Sequence, residues 1–425
     1  MHWLTDMVGF SKISVVGLGY IGLPTAAMFA SRKLSVIGVD VNQSAVDTIN
    51  RGEIHIIEPD LDGVVKTAVA EGYLRATTTP EAADAFLIAV PTPFKGENHE
   101  PDLGYIESAS NAIAPVLKSG DLVILESTSP VGATEQMSVW LAAARPDLTF
   151  PQDVGDASDI RVAHCPERVL PGKVMQELIT NDRVIGGMTD KCSALSADLY
   201  KTFVTGDCVL ASSPRVAEMA KLTENSFRDV NIAFANELSM ICDDLDIDVW
   251  ELVALANRHP RVNVLQPGPG VGGHCIAVDP WFIVSKSPHI AELIRTAREV
   301  NDCKPLWSLD KIKVAVADYV SEHSLIASKD VRIACYGLAF KPDIDDLRES
   351  PALEIVKKLA NWHAGHIVIV EPNISELPEE LADHELVIDE EDIKADIHVM
   401  LVKHTVFLSW SAPENFVDFQ GIWKL

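Results

Sequence analysis

Basic residues are scarce in this chain. Its 425 residues include 35 Lys and Arg against 62 Asp and Glu, and the formal net charge is -27 at pH 7. A surface of that charge repels nucleic acid and anionic lipid, so neither nucleic acid nor a membrane is an expected partner. An anionic small molecule is still expected to bind where a local Lys, Arg or helix N-terminus overrides the overall field.

Other absences narrow the class of protein further. The cysteines include no C-x-x-C pair, which predicts reduced thiols rather than disulfides or a zinc site, and no metal is expected. The first ten residues, MHWLTDMVGF, lack the basic and apolar segments of a secretory signal, and no apolar run of membrane-spanning length follows. These features predict a cytoplasmic protein, and its length predicts two or three folded domains.

The chain opens with the pattern of a βαβ unit. From Lys12 it reads KISVVGLGYIGLPTAAMFASR and then LSVIGVDVN, which is a β-branched run, a Gly-rich turn, an Ala-rich helix and a second apolar run. Further short apolar runs end in turn or polar residues at 85–93, 121–132 and 160–168. This pattern predicts an α/β fold of buried parallel strands, with ligand-binding residues at the C-terminal ends of the strands.

The middle of the chain has helical periodicity from about Ser213 to Asp302. It begins with one long helix, for which Ser212 or Ser213 is a candidate N-cap. Apolar residues recur there at three- and four-residue spacing, as expected for a helix that packs on one side. This helix is predicted to link two domains.

The last hundred residues repeat the opening layout. VRIACYGLAFK resembles KISVVGLGYIG, HIVIVEPN resembles SVIGVDVN, and ADIHVMLVKHTVF resembles ADAFLIAVPTPF. We therefore predict two Rossmann-like, doubly wound domains joined by a long central helix and a helical dimerisation region, with limits at 1–212, 213–315 and 316–425. The second turn lacks two of the three fingerprint glycines, which favours a phosphate-bearing group other than a dinucleotide there.

A dinucleotide-binding fingerprint follows the first strand. Gly17, Gly19 and Gly22 form G-x-G-x-x-G, and Asp40 ends the next strand about twenty residues on. The glycines permit a tight turn and close approach to a pyrophosphate, and an acidic residue at this point binds the ribose 2′-hydroxyl. Because that carboxylate repels a 2′-phosphate, NAD is favoured over NADP. The alternative is a structural turn that binds no nucleotide.

Three further motifs are candidates for chemistry. Cys275 follows a Gly-rich run that lets backbone and substrate approach the sulfur closely, and Asp279 lies four residues on. Cys275 is either a reactive thiol or a buried structural one. Lys221, Asn225 and Arg228 share one face of the long helix, which is either functional or a solvated face. Polar pairs after two strands are either functional or plain turns, namely Ser127 with Thr128 and Glu167 with Arg168.

Seven segments in one order resemble the UDP-glucose/GDP-mannose dehydrogenase family over nearly the whole chain. They are VVGLGYIGLP, AVPTPF, ESTSPVG, CPERVLPG, KLTENSFRDVNIAFANEL, PGPGVGGHCIAVDP and GLAFKPDIDDLRESPA. Within the family, NRHPRVN, GGHC and PERVLPG most resemble the members that oxidise UDP-N-acetyl-D-mannosamine. The resemblance implies a four-electron oxidation of a UDP-sugar by two NAD+, for surface polysaccharides such as enterobacterial common antigen. It also implies a homodimer or a higher homo-oligomer.

The resemblance assigns catalytic roles. Lys221 would help to remove the C6 hydroxyl proton, and the Cys275 thiolate would add to the resulting aldehyde before a thioester forms and is hydrolysed. The other implied roles are oxyanion stabilisation by Asn225 with Lys221, orientation of the lysine or of water by Asp279, and positioning of water by Glu167 with Thr128.

The resemblance also assigns binding residues. Those for the cofactor are Gly17, Gly19, Tyr20, Ile21, Gly22, Asp40, Thr92, Thr128, Thr134 and Arg348. Those for the sugar nucleotide are Arg168, Val169, Lys221, Asn225, Arg228, His259, Arg261, Gly272, Lys341 and Arg348. Lys341 and Arg348 stand beside the second Rossmann-like turn, where a pyrophosphate needs cations in an acidic protein. His259 and Arg261 are candidates for a neighbouring subunit's site.

Two positions depart from the UDP-glucose dehydrogenases, which carry Glu where Pro171 stands and Ser where His274 stands. Both differences weigh against glucose and leave open which group activates water. The alternatives are the same chemistry on UDP-glucose, UDP-N-acetylglucosamine or GDP-mannose, a two-electron β-hydroxyacid dehydrogenase, and a non-enzymatic NAD-binding protein.

Overall fold

The computed structural model describes residues 9–96, 98–170, 172–273, 275–323, 325–388 and 393–423. The chain divides into two compact units. The first contains the chain up to Glu224 together with Trp281–Lys286, and the second contains Asn225–Pro280 and the chain from Ser287 onwards. Within these described ranges, no helix is both long enough and apolar enough to cross a membrane.

The first unit is built on a mainly parallel sheet. The strands of this unit are β1 (Lys12–Val16), β2 (Ser35–Val39), β3 (Leu74–Thr77), β4 (Ala85–Ile88), β5 (Phe94–Lys95), β6 (Glu100–Pro101), β7 (Leu122–Leu125), β8 (Arg161–His164), β9 (Arg183–Gly187) and β10 (Cys208–Ala211). Its helices are α1 (Gly22–Ser31), α2 (Gln43–Asn50), α3 (Leu61–Ala70), α4 (Gly104–Ile113), α5 (Ala133–Ala144), α6 (Pro151–Val154), α7 (Val174–Thr180) and α8 (Asp190–Tyr200).

The strand order of this sheet is β10-β9-β8-β7-β4-β1-β2-β3, and β5 pairs with β6 in a separate antiparallel ribbon. Neighbouring side chains of a strand face opposite sides, so Val15 packs into one apolar core and Val16 into the other. The strand order reverses between β1 and β4, which is where open α/β sheets bind ligands. The antiparallel pairing of β8 with β9 was not predicted.

A long helix, α9 (Pro214–Asp244), follows β10, as predicted. Ser213 Oγ accepts a hydrogen bond from the Val216 amide at 3.4 Å, which identifies Ser213 as the residue before the helix that caps it. The next helices are α10 (Val249–Ala256), α11 (Asp279–Lys286) and α12 (Glu292–Glu322). The mainly helical region predicted up to Asp302 is made of these helices and one long interruption. The described residues between α10 and α11 form turns and loops, because prolines and glycines interrupt the helical pattern there.

The second unit carries its own parallel sheet. Its further elements are β11 (Ile333–Tyr336), α13 (Pro351–Trp362), β12 (Ile367–Val370), β13 (Glu385–Val387), β14 (Ile397–Met400) and β15 (Phe416–Asp418). The strand order is β13-β12-β11-β14-β15, and apolar cores cover both faces. The prediction of two Rossmann-like domains and a long central helix is therefore confirmed. The predicted limit at residue 315 falls within α12.

Candidate functional site

The fingerprint turn of the first unit depends on its glycines. Gly17 has a φ of 92°, which favours glycine, and a Cβ on Gly22 would lie 1.7 Å from the Gly17 carbonyl oxygen. Gly19 borders open space, since a Cβ there would meet no described atom within 4 Å. The backbone is therefore tight on one side and open on the other, as a bound pyrophosphate requires.

Asp40 is held beside this turn at the end of β2. One carboxylate oxygen accepts the Leu18 amide at 2.8 Å and the other accepts the Asn42 amide at 2.9 Å. These bonds fix the carboxylate where an adenosine ribose would present its hydroxyls.

The loops after β1 and β4 add groups that fit a dinucleotide. Ile21, immediately before α1, gives that helix no side-chain cap. Because the Leu23 amide donates to the Gly19 carbonyl at 3.1 Å and Pro24 has no amide hydrogen, Gly22 is, among the first three helix residues, the one whose amide suits an anionic ligand. Tyr20 packs partly against the apolar core. Thr92 Oγ1 is buried without a hydrogen-bond partner among the described residues. These residues fit NAD.

Two threonines of the predicted cofactor set differ in their surroundings. Thr128 follows β7 and is half-buried, in the loop where Ser127 donates to the Val90 carbonyl at 2.6 Å. Thr134 is fully buried, and both its amide and its hydroxyl donate to Glu218, at 2.8 and 2.6 Å. Its side chain is committed to that carboxylate.

Glu167, just after β8, is part of a buried ionic cluster that the sequence did not predict. Arg183 Nη1 donates to Glu167 Oε2 at 2.9 Å and lies 3.9 Å from Glu126 Oε1. The Arg168 amide donates to Glu167 Oε1 at 2.6 Å, so both oxygens of Glu167 are oriented. Tyr200 donates to Glu126 at 3.0 Å, and Glu126 Oε2 is buried without a described partner.

The charge of this cluster explains the protonation of Glu126. One guanidinium faces two carboxylates, so ionisation of both would leave an uncompensated buried charge. Burial raises the pKa of Glu126 from 4.5 to about 7, even though Arg183 opposes the shift. Burial opposes the positive charge of Arg183, yet the carboxylates hold the Arg183 pKa above its usual range.

Glu126→Gln is expected to raise the thermal midpoint several times more at pH 8 than at pH 5. The pKa of Glu126 is higher in the folded than in the unfolded protein, so the folded state prefers the neutral carboxyl. The free energy of unfolding therefore falls as the pH rises towards 7, by about 3 kcal/mol at most. Glutamine does not ionise and avoids that loss, which predicts a gain of roughly 5–10 °C at pH 8 by calorimetry. Glu135→Gln is the control, because Glu135 is exposed and paired with Arg215. A gain of equal size at both pH values would contradict the assignment.

Lys221 is half-buried on the first-unit part of α9. Arg168, predicted to bind the sugar nucleotide, pairs with Glu224 at 2.8 Å. Val169 packs partly against the apolar core of the same unit. Lys221, Arg168 and Val169, all predicted to bind the sugar nucleotide, therefore belong to the first unit.

The second unit connects three predicted catalytic residues. The Cys275 carbonyl accepts the Asp279 amide at 2.8 Å, and Asn225 Nδ2 donates to Asp279 Oδ2 at 2.5 Å. Asn225 and Asp279 are buried, whereas Cys275 and Arg228 are exposed. The face of α9 that carries Asn225 is therefore not simply solvated.

The Gly-rich run before Cys275 has a packing explanation. A Cβ on Gly272 would lie 2.4 Å from the Glu349 carbonyl oxygen, and one on Gly273 would lie 2.8 Å from the Phe340 ring. A Cβ on Gly270 would lie 2.7 Å from the Pro351 side chain. Besides the access to the sulfur expected from sequence, these glycines therefore let the run pass close to the second Rossmann-like turn.

The remaining predicted ligands lie on loops of the second unit. His259 and Arg261 are exposed, and the Arg261 amide donates to His259 Nδ1 at 3.3 Å. Lys341 follows β11, and Arg348 pairs with Asp346 at 2.6 Å. Pro171 and His274, the two departures noted from sequence, lie outside the described residues.

Three domain models of one family match this chain. The NAD binding domain of the UDP-glucose/GDP-mannose dehydrogenase family matches residues 11–204, the central domain matches 215–303 and the UDP binding domain matches 334–424. The chain belongs to the UDP-glucose/GDP-mannose dehydrogenase family. It is an NAD-dependent nucleotide-sugar dehydrogenase, and the predicted enzyme class and cofactor are confirmed.

This nucleotide-sugar dehydrogenase has relatives of full length. The UDP-N-acetyl-D-mannosamine dehydrogenase of Yersinia pestis is 66% identical and covers 98% of this chain and 100% of that protein. The NDP-N-acetyl-D-galactosaminuronic acid dehydrogenase of Ralstonia nicotianae is 62% identical, covering 98% and 97%. The structure of the UDP-D-ManNAc dehydrogenase of Pyrococcus horikoshii has a TM-score of 0.84 at 37% identity, covering 97% and 96%.

Sequence analysis of this dehydrogenase missed Arg183 and Glu126. Arg183 opens β9, and Glu126 follows β7 as the first residue of ESTSPVG, in which only Ser127 and Thr128 were candidates. A signal was present in each case, because a charged residue at the edge of an apolar strand is rarely buried unless it is paired.

Proposed function

We propose that this dehydrogenase oxidises the C6 hydroxyl of UDP-N-acetyl-D-mannosamine to a carboxylate with two NAD+. The observation that carries the proposal is the Yersinia pestis relative of that name, which is 66% identical over 98% of this chain. A second candidate is the N-acetyl-D-galactosamine series, because the Ralstonia nicotianae relative is named for it at 62% identity.

The proposed chemistry has two oxidation steps. In the first, Lys221 assists removal of the hydroxyl proton while NAD+ accepts the C6 hydride, which gives the aldehyde. The Cys275 thiolate then adds to the aldehyde carbon, and loss of the second hydride leaves a thioester. Water cleaves the carbon–sulfur bond, which releases the carboxylate and restores the thiolate.

Contacts within each unit favour the roles proposed for Asn225 and Glu167. Asn225 directs one Nδ2 hydrogen to Asp279 and is assigned to stabilise the oxyanion with the other. Glu167, fixed by Arg183, is assigned to position water together with Thr128. We assign the other residues named by the family resemblance to NAD or to the sugar nucleotide, apart from Thr134, whose amide and hydroxyl both bond Glu218.

The test is a count of NADH per molecule of sugar nucleotide. Two NADH are expected with UDP-N-acetyl-D-mannosamine, and kcat/KM at least about tenfold lower with UDP-glucose, UDP-N-acetylglucosamine, UDP-N-acetylgalactosamine and GDP-mannose. One NADH would indicate a two-electron dehydrogenase. Equal kcat/KM with UDP-glucose would overturn the choice of sugar, and a preference for UDP-N-acetylgalactosamine would favour the second candidate.

We also propose that the protein is a homodimer. Phe227, Phe234 and Ile241 are spaced seven residues apart on α9, so they share one face, and their exposed fractions are 69%, 58% and 46%. Such an apolar stripe is typical of a protein interface.

Phe234→Glu is expected to convert the dimer to a monomer, because a charge at the centre of the stripe cannot be desolvated without a partner. Light scattering after size-exclusion chromatography measures the change. Leu325→Glu is the control, since Leu325 is 99% exposed and lies off this helix. An unchanged mass for Phe234→Glu would remove α9 as the interface.

The product is proposed to enter surface polysaccharides such as enterobacterial common antigen, as the family resemblance implies. The cytoplasm is the proposed location. The proposed domain limits are 1–212, 213–315 and 316–425. Deletion of the gene should remove the uronic acid from the surface polysaccharide, and mass spectrometry of the sugar composition tests this.

A further inference from the structure

The turn after β11 repeats the backbone geometry of the fingerprint turn. Gly337 has a φ of 89°, and its amide donates to the last residue of β12 at 2.8 Å, as Gly17 donates to the last residue of β2. The next amide, of Leu338, donates to Glu371 Oε2 at 2.7 Å. Glu371 therefore occupies in the second unit the position that Asp40 occupies in the first.

The surroundings of the two carboxylates differ. Asp40 is partly exposed, whereas Glu371 and the neighbouring His404 are both fully buried. His404 Nε2 lies 3.0 Å from Glu371 Oε2, on the oxygen that also accepts the Leu338 amide. An enclosed carboxylate cannot reach a ribose, so this position no longer serves a dinucleotide.

The other nitrogen of His404 faces a different loop. The Asp343 amide donates to His404 Nδ1 at 2.9 Å, and Asn373 Nδ2 lies 3.0 Å from the same atom. A backbone amide can only donate, so Nδ1 must be unprotonated and the ring proton must lie on Nε2, directed at Glu371. His404 thus bridges the Glu371 carboxylate to the backbone at Asp343.

The state of Glu371 agrees with this direction of the hydrogen bond. Burial alone would raise the pKa of Glu371, but the hydrogen bonds from His404 and from backbone amides hold it below its usual value of 4.5. Glu371 is therefore an ionised acceptor at neutral pH.

Asp343 also ties its loop to the residue after His404. Its carboxylate accepts the Thr405 amide at 2.8 Å and the Thr405 hydroxyl at 2.5 Å. Asp343 has a φ of 62°, a conformation that a non-glycine residue rarely adopts without such support. Asp343 is therefore a fixed point of the loop that carries both cations. Lys341 lies two residues before it and Arg348 five residues after it.

We propose that His404 is a positioning residue for the diphosphate of the sugar nucleotide. Glu371, at the position of Asp40, does not bind a ribose but fixes the loop at Asp343 through His404. The fixed loop holds Lys341 and Arg348 in the arrangement that receives phosphate. The inference rests on the proposed role of these two cations in the proposed function. His404 itself touches neither substrate nor cofactor in this assignment.

Variants of the full-length enzyme that break one side of the bridge test the proposal. Glutamine can place its amide nitrogen near Nε2 but offers no acceptor to the Asp343 amide, whereas asparagine can place its amide oxygen near Nδ1. His404→Gln is expected to raise KM for UDP-N-acetyl-D-mannosamine about tenfold, with kcat and KM for NAD+ within about twofold. His404→Asn keeps the acceptor for the Asp343 amide but loses the contact to Glu371, so it is expected to raise the same KM by the smaller factor of about threefold.

Thr405→Val is a milder variant, because Thr405 is exposed, and it should raise the same KM about threefold through loss of one hydrogen bond to Asp343. His398→Gln is the matched control. His398 is a buried histidine of the same sheet that bonds Tyr336, so its loss lowers the thermal midpoint without changing KM for the sugar nucleotide.

Calorimetric titration with UDP separates the inference from the proposed function. If wild-type enzyme binds no UDP, the proposed function fails. If wild type binds UDP and His404→Gln and Thr405→Val bind it equally well, the inference fails. It also fails if His404→Gln raises both Michaelis constants alike, or if His404→Asn is as impaired as His404→Gln.

Discussion

Cys275→Ser is expected to stop carboxylate formation after the first hydride transfer. Serine is a far weaker nucleophile than a thiolate at neutral pH, so the aldehyde is not captured for the second oxidation. The expected fall in the rate of uronate formation is at least about a thousandfold, equivalent to about 4 kcal/mol of transition-state stabilisation. At most one NADH per sugar nucleotide should then form, measured by absorbance beside chromatography of the uronate.

Cys303→Ser is the matched control, because Cys303 is also exposed and belongs to the same unit. Cys303→Ser should leave the rate of NADH formation, the rate of uronate formation and the count of NADH per sugar nucleotide unchanged. Since the replaced atom in Cys275→Ser is on an exposed side chain, its thermal midpoint should equal that of wild type. Uronate formation at the wild-type rate by Cys275→Ser would exclude a thioester.

Arg183→Met is expected to destabilise the enzyme by about 3–5 kcal/mol, which is typical when one partner of a buried ion pair is removed. The loss leaves Glu167 and Glu126 without their shared cation in a site that is almost fully buried. Calorimetry should show a thermal midpoint lower by roughly 10 °C. Arg215→Met is the control, because its pair with Glu135 is exposed and contributes about 1 kcal/mol or less.

Arg183 also has a kinetic signature if Glu167 positions water. In Arg183→Met at a temperature where the variant is folded, a burst of two NADH per active site should precede a slow steady state, because thioester hydrolysis is impaired. Arg183→Lys retains the charge and should recover part of both losses. A destabilised variant with wild-type kinetics and no burst would leave Arg183 a purely structural residue.

The fingerprint turn and its partner carboxylate were predictable because they form within one βαβ unit. Gly17, Gly22 and Asp40 lie within about twenty-five residues, so their contacts depend on local backbone geometry and on one strand pairing. The internal repeat was likewise visible, and it points to Glu371 by its correspondence with Asp40. The meaning of Glu371 was not visible, since His404 encloses it from a loop more than thirty residues away.

Asn225 and the glycines before Cys275 show the limits of spacing arguments. The helical face of Asn225 was consistent with a solvated surface until the Asp279 contact at 2.5 Å placed it in a buried pair. The glycines predicted access to the sulfur, and the structure adds that the run packs closely on distant parts of the chain. The close neighbours of these glycines are Pro305, Phe340, Glu349 and Pro351. In both cases a partner from another part of the chain decides the role.

The sequence by itself determined the Rossmann-like folds, the choice of NAD and the order of the family's motifs, because strand periodicity, tight turns and a single acidic residue act over short stretches of chain. Only the tertiary structure decided which charges are shared. The Arg183 cluster joins the ends of β7, β8 and β9, and the His404 bridge joins loops that follow β11, β12 and β14. Those contacts depend on strand order and register, which the packing of the whole core determines.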